Sequence, residues 1–371
     1  MNSVDKRDEP LIREAIRLLN VEYEDGKEFN ESFDSDEPIK IGRLELPRSK
    51  VLFWLDRVGY YEEQEQWLGD ALQEQHEPCI SLLKKHGLQT PFEELVAAVI
   101  RDRVVPFVGA GMSSAMNMPT WGAALKELLQ RIPGADTAAL SAQIDAGEYL
   151  AAAEVMAAQD PIQTENFIRT KYRVHKMKLA GPALLLPKIA RGCVITTNFD
   201  DAIELVYESH DEHFDAYMHG TQEHNFFPRL VRGKRCLLKL HGDADNPATH
   251  ILTQAQYDNG YGTPFDFHKP LPKALRQLFV SQSLLFLGCS LEQDWTLKLF
   301  EQAKIADEYA IPNHFAILPA PADSQARQLK ASRLLGLNIQ PLWYPAEAHE
   351  YVERYLQLLI DAKDRRINIA G

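Results

Sequence analysis

The chain has 371 residues, 45% of them hydrophobic and 25% charged, which is ordinary for a soluble globular protein and enough for one large α/β domain plus a further module. A formal net charge of −13 argues against a protein that coats nucleic acid, so no direct nucleic-acid binding is expected. No apolar run reaches the roughly 18 residues of a membrane span, and the charged start (Asp5, Lys6, Arg7, Asp8, Glu9) lacks the apolar centre of a secretory signal, so a cytoplasmic location is expected.

Apolar positions over Leu11–Leu19 recur at helical spacing. Residues 21–38 then hold Glu22, Glu24, Asp25, Glu28, Glu31, Asp34, Asp36 and Glu37 against Lys27 alone. That excess reads as a solvated loop, or as a docking surface for a basic partner. Val51–Leu55, Trp67–Leu72 and Ile80–Leu83 suggest further helices, the last closed by a basic turn and Gly87. Residues 1–95 are therefore expected to form a helical accessory or oligomerisation module without chemistry of its own. Amphipathic patterns around Trp54, Trp67 and Leu83 predict that it self-associates or covers the site downstream.

Residues 96–371 read as a second domain in which strands and helices alternate, which implies a mainly parallel sheet covered on both faces. The expected strands are 104–108, 193–197, 236–240, 284–288, 314–318 and 338–343, a six-stranded sheet. The interval between the first two is Ala-rich and far longer than a crossover needs, so a helical insertion is expected at about 122–190. An amphipathic helix over 346–365 closes the chain.

The chemistry gathers where the strands end. The first expected strand runs into Gly109-Ala110-Gly111-Met112-Ser113, a strand–turn–helix pattern that resembles the dinucleotide fingerprint of Rossmann-like sheets, with Ser114 in place of the third glycine. The second runs into Thr197-Asn198-Phe199-Asp200, the third into His241-Gly242-Asp243 and the fourth into Gly288-Cys289-Ser290. Ligands of open parallel sheets bind outside the carboxyl ends of the strands, so these clusters aim at one crevice. One polar residue at a strand end is usually a cap or a turn; four clusters of glycine, amide, carboxylate and imidazole are hard to explain that way. Cys79, Cys193, Cys236 and Cys289 contain no C-x-x-C pair, so no zinc or other metal site is expected, and the thiols read as reduced and structural.

Taken in order, Gly109-Ala110-Gly111-Met112-Ser113, Met118-Pro119-Thr120-Trp121, Thr197-Asn198-Phe199-Asp200, Leu240-His241-Gly242 and Gly288-Cys289-Ser290 resemble the NAD-binding motifs of sirtuins. The similarity covers roughly residues 98–345 and is greatest to the sirtuin-like domains of bacterial anti-phage systems. It implies a Rossmann-like fold and a chain that takes NAD as its substrate and cleaves the nicotinamide–ribose bond. The two C-x-x-C pairs of deacylating sirtuins are absent. The arginine after their G-I-P-x-F element is also missing, with Trp121-Gly122 in that region. On this resemblance Gly109, Ala110, Gly111 and Ser113 line the pyrophosphate, and Thr120, Trp121, Thr197, Gly288 and Ser290 complete the cofactor pocket. Asn198 holds the nicotinamide ribose and positions water, Asp200 meets the nicotinamide end, and His241 is the general base.

The resemblance further implies an NAD-depleting effector of antiviral defence, oligomeric and silent until infection. In similar systems its activator is a hexameric ATPase/DNA translocase, a short Argonaute or a nucleotide signal. A protein ADP-ribosyltransferase or deacylase, and a non-catalytic NAD- or ADP-ribose-binding regulator, are the alternatives.

Overall fold

The computed structural model describes residues 9–173, 177–222, 226–291, 295–306 and 310–369. Contacts divide the chain into two compact units, Met1–Pro78 and Cys79–Gly371. The division lies well before the expected boundary near residue 95. Cys79, Ile80, Leu83, Phe92 and Leu95, assigned above to the N-terminal module, are buried in the core of the second unit.

In the first unit, helices Glu9–Asp25, Lys27–Phe33 and Arg48–Leu55 precede the long Arg57–His86 helix. A hairpin of β1 (Ile39–Ile41) and β2 (Leu44–Leu46) stands between them and was not expected. Much of the acidic stretch is helical rather than a solvated loop. Its apolar residues explain why: Phe29 packs with Phe53 and Tyr60 in an aromatic core, with Tyr23, Phe33 and Trp67 around it. Asp34 is drawn into this core by polar bonding, accepting from both the Ser49 amide and the Ser49 hydroxyl.

The second unit is built on a seven-stranded sheet. Its strands are β3 (Val104–Val108), β4 (Cys193–Thr196), β5 (Ala216–His219), β6 (Cys236–Lys239), β7 (Ser283–Leu287), β8 (His314–Pro319) and β9 (Ile339–Tyr344). Their lateral order is β5-β6-β4-β3-β7-β8-β9, and every pairing is parallel. The extra strand relative to the expected six is β5, at the edge.

Both faces of the sheet are covered, so the central strands read as near-continuous apolar runs rather than as alternating ones. Val104, Val108, Val194, Leu237, Leu285 and Leu287 pack with Phe92, Ala202 and Tyr355 on one face. Val105, Phe107, Ile195, Leu238, Leu284 and Phe286 pack with Leu275, Phe279 and Phe300 on the other. The chain leaves β3 towards β4 on one side and later returns to β7 on the other. That reversal puts a topological switch point at the carboxyl ends of β4, β3 and β7, where ligands of such sheets bind.

The expected insertion is present. Helices Trp121–Leu129, Thr137–Asp145, Tyr149–Gln159 and Pro161–Tyr172 enclose a separate core of Leu125, Leu128, Ile144, Met156, Phe167 and Tyr172. Phe199, from the loop after β4, is buried in that same core, which fixes the insertion over the strand ends.

Candidate active site

The four sequence clusters follow β6, β4, β3 and β7, which are lateral neighbours. They therefore form one continuous row along the carboxyl edge of the sheet.

The glycines mark the point where two of these loops cross. A Cβ on Gly109 would lie 2.5 Å from the Gly288 carbonyl oxygen, and one on Gly111 would lie 2.9 Å from Gly288 Cα. Gly288 has φ +66°, and a Cβ there would lie 2.6 Å from the Met112 amide nitrogen. Only glycine allows this approach. The Gly109 amide donates to Leu287 O at 2.8 Å and the Gly111 amide to Gly288 O at 3.1 Å. The amides of Met112 and Ser113 are bonded to Gly109 O and Ala110 O. Those four N–H groups are therefore used in bonds inside the protein. The expected α-helix start is replaced by short 3₁₀ turns at Ala110–Met112 and Ser114–Met116; the α-helix begins only at Trp121.

Asn198, Ser113 and Asp200 form a buried chain of hydrogen bonds. The Asn198 side-chain nitrogen donates to Ser113 Oγ at 3.1 Å and to Gly109 O at 3.3 Å. Because a backbone carbonyl can only accept, this bonding orients the amide. Its oxygen meets Thr197 Oγ1 at a long 3.5 Å. Ser113 Oγ in turn donates to Asp200 Oδ1 at 3.3 Å, and the Ala202 amide donates to the same oxygen at 3.1 Å. Asp200 thus accepts from the first amide of the Ala202–Glu208 helix, whose N-cap is Asp201, while joining the β3 and β4 loops. Burial pushes its carboxyl above the usual range, opposed by the Ala202 amide and the Lys239 charge.

Lys239, the last residue of β6, is a fully buried cation that sequence reading passed over as a strand residue. Its Nζ lies 2.9 Å from Asp200 O, 2.8 Å from Asp243 Oδ2, 3.0 Å from Glu204 Oε1 and 3.1 Å from Asp201 Oδ1. Burial alone would lower the lysine's pKa, but these carboxylates outweigh it and hold the ammonium charged. Glu204 is pushed up to about 7 by burial, with Lys239 opposing. For Asp243 burial acts upward, yet the Lys239 charge and hydrogen bond bring it below its usual value. Asp201, Glu204 and Asp243 are spaced closely enough to hold a metal ion, but the lysine ammonium already serves them.

His241 follows β6 directly. Its half-buried ring is held by a backbone hydrogen bond at Thr197 and by the Tyr257 hydroxyl, 2.6 Å from Nε2. Burial lowers its pKa to about 4, so the ring is neutral at pH 7 and has a lone pair to offer. Phe199 stands beside it at 6.3 Å and also contacts Trp121, Tyr172 and His250. Phe199 therefore makes an aromatic wall between the insertion and the histidine. Ala110 and Trp121 are half-buried, and Thr120 and Ser290 are exposed at the same edge. Residues 292–294, just beyond Ser290, lie outside the described part. None of the four cysteines is in a disulfide; burial pushes Cys79 up to about 12 and Cys236 up to about 11, as inert structural thiols require.

A family described as "SIR2-like domain" matches residues 192–341. That span begins at β4 and ends within β9, and it includes Asn198, Asp200 and His241. Residues 192–341 are thus similar to a SIR2-like domain. Two curated relatives align with it. The NAD(+) hydrolase ThsA of Acinetobacter baumannii (strain 532279) is 26% identical over 241 residues, 63% of this chain and 46% of the relative. The NAD(+) hydrolase ThsA of Bacillus cereus (strain MSX-D12) is 23% identical over 226 residues, 61% of this chain and 45% of the relative. The chain thus spans about half the length of the curated relatives it matches. β3 and its Gly109–Ser113 loop lie outside the matched span in sequence yet between β4 and β7 in the sheet.

Proposed function

We propose that the chain hydrolyses NAD to nicotinamide and ADP-ribose. The observation that carries this reading is the row of Ser113, Asn198, Asp200 and His241 on adjacent strand ends, with a neutral imidazole at its end. The names of the two relatives support the same reaction.

In the reaction, the bond between the ribose C1′ and the nicotinamide nitrogen breaks and its electron pair returns to the departing ring. The ring is cationic beforehand and neutral afterwards, so the leaving group needs no acid. Positive charge grows on the sugar, and a water oxygen then bonds to C1′ and gives up a proton. His241, neutral at pH 7, is the final acceptor of that proton, which reaches it through an intervening hydroxyl. The Asn198 carbonyl oxygen, with its nitrogen committed to Gly109 and Ser113, orients the ribose and the water. Asp200 meets the nicotinamide end, and Gly109, Ala110, Gly111, Ser113, Thr120, Trp121, Thr197, Gly288 and Ser290 line the nucleotide.

The physiological role proposed is an NAD-depleting effector of prokaryotic antiviral defence, acting in the cytoplasm as a homo-oligomer. An activating partner such as a hexameric ATPase/DNA translocase would release it, with residues 1–78 as the regulatory or self-associating part. Among the described residues no helix is long and apolar enough to cross a membrane.

Incubating purified protein with NAD, alone and with infected-cell extract, tests the reaction by mass spectrometry of the products. Nicotinamide and ADP-ribose in equal amounts are expected, with acyl-lysine peptides deacylated far more slowly. Robust peptide deacylation would overturn the assignment.

A further inference from the structure

Tyr257 has no counterpart among the strand-end motifs. It lies on the Gln254–Tyr261 helix, whose start is set by a capping box between Thr253 and Gln256. Its ring is buried, stacked on Tyr261 at 5.5 Å and 11°, and tilted against Trp295 at 5.4 Å. Two rings and a capped helix therefore fix where its hydroxyl sits, 2.6 Å from His241 Nε2.

The direction of that bond follows from the rest of the ring. A neutral imidazole carries one N–H. The backbone bond at Thr197 favours the protonated ring, so the backbone group there is an acceptor and takes that N–H. Nε2 is then the bare nitrogen, and Tyr257 is the donor. From this geometry we infer that Tyr257 is a positioning residue for His241: its hydroxyl selects the tautomer with a bare Nε2 and holds the ring towards the strand-end crevice. With Nε2 on Tyr257, the N–H left for Thr197 is the one on Nδ1, so the ring is held between the loop after β4 and the helix beyond β6. Because the Tyr257 O–H fills the one lone pair of Nε2, a proton from the substrate hydroxyl or water reaches the ring through that hydroxyl, which takes the proton as it passes its own to Nε2. The inference rests on the reading of His241 as the proton acceptor in NAD hydrolysis.

Donation to a lone pair stabilises the neutral ring, so losing it raises the histidine's pKa. The other titratable groups in the elements packed around the ring are Asp200 after β4, Tyr172 at the end of the insertion, His250 in the return loop, and Tyr261 behind Tyr257. Lys239 and Asp243 flank it on its own strand end, and Lys298 lies over Trp295. None of these is altered by Tyr257→Phe, which also keeps the ring packed against Tyr261 and Trp295.

The test is ¹⁵N NMR of histidine-labelled full-length protein, with the His241 signals assigned by their loss in His241→Gln. In the wild type, His241 is expected to be neutral at pH 7 with Nε2 unprotonated. Tyr257→Phe is expected to move the Nε2 resonance and raise the titration midpoint by about one pH unit. The kcat for NAD is expected to fall about tenfold with KM little changed. An Nε2 signal and midpoint that match the wild type would overturn the inference, whatever the activity. The NMR change without NAD turnover in the wild type would instead count against the hydrolase reading. If Tyr257→Phe does not fold, fluorotyrosine at position 257, a stronger donor, is expected to shift Nε2 and lower the midpoint; no shift would overturn the inference.

Discussion

Lys239 Nζ lies 2.9 Å from the carbonyl oxygen of Asp200, so a buried cation on β6 holds the loop that follows β4. The same ammonium bonds Asp243, two residues beyond His241. The positions of Asp200 and His241 are thus coupled through one side chain that need not touch substrate.

Replacing Lys239 with Met keeps the aliphatic volume but leaves Glu204 and Asp243 facing each other without their cation. Removing one partner of a buried ionic cluster costs about 3–5 kcal/mol. Asp201 is partly exposed and Glu204 can take a proton, so the lower end of that range is expected. Urea unfolding should show the loss shrinking between pH 8 and pH 5, as Glu204 becomes protonated in the variant. A loss that does not depend on pH would contradict the electrostatic account.

The Gly288 crossing makes a contrasting prediction. Gly288→Ala places a Cβ at a left-handed φ and 2.6 Å from the Met112 amide, and is expected to cost about 2 kcal/mol or more. Gly192→Ala, where an added Cβ meets nothing within 4 Å, should cost less than about 1 kcal/mol. Thermal unfolding of the two variants side by side separates them; equal losses would show that the loop crossing is not the constraint.

His241 predicts a pH dependence whose sign is fixed. Its folded pKa is near 4 and its unfolded value near 6.5. The stability it contributes is therefore complete above about pH 6.5 and is lost as pH falls towards 4. The contribution is up to about 3 kcal/mol. His250 and His314 are also lowered by burial, so the relevant quantity is wild type minus His241→Gln, from denaturant titrations at pH 7.5 and pH 4.5. The wild type should lose more stability than the variant. The acid limb of kcat/KM should likewise fall well below pH 6.5.

The division at Pro78 predicts which truncations survive. A chain beginning at residue 79 keeps Ile80 and Leu83, and should unfold cooperatively. One beginning at residue 91 loses both, each fully buried, at about 2–5 kcal/mol apiece. Light scattering of the full-length protein should report a species larger than a monomer, and the chain from residue 79 a smaller one. A full-length monomer would remove self-association from the account.

The strand ends were legible in the sequence because apolar runs such as Leu284–Leu287 stop abruptly at polar clusters, and a parallel sheet puts all such ends on one edge. β5 was not, because Ala216–His219 is four residues long at the sheet edge, with Tyr217 facing outward. The hairpin at 39–46 alternates as Ile39-Lys40-Ile41 and Leu44-Glu45-Leu46, but each strand is only three residues long and so too short to stand out. Glycines that read as a phosphate cradle also answer to Gly288, a partner that no local pattern reveals. Lys239 looked like a strand residue, since its carboxylates come from Asp201, Glu204 and Asp243 across loops. Tyr257 lies sixteen residues beyond His241 on a different element, so only the fold brings its hydroxyl to the ring.

The most direct test of the central claim is nicotinamide release from NAD by the wild type and by His241→Ala and Asn198→Ala, under conditions in which the wild type is active. Circular dichroism should first confirm that each variant is folded. Equimolar nicotinamide and ADP-ribose from the wild type, and at least a hundredfold less from either variant, are the outcome predicted for a base and an orienting amide. A folded His241→Ala that releases nicotinamide at the wild-type rate would contradict it.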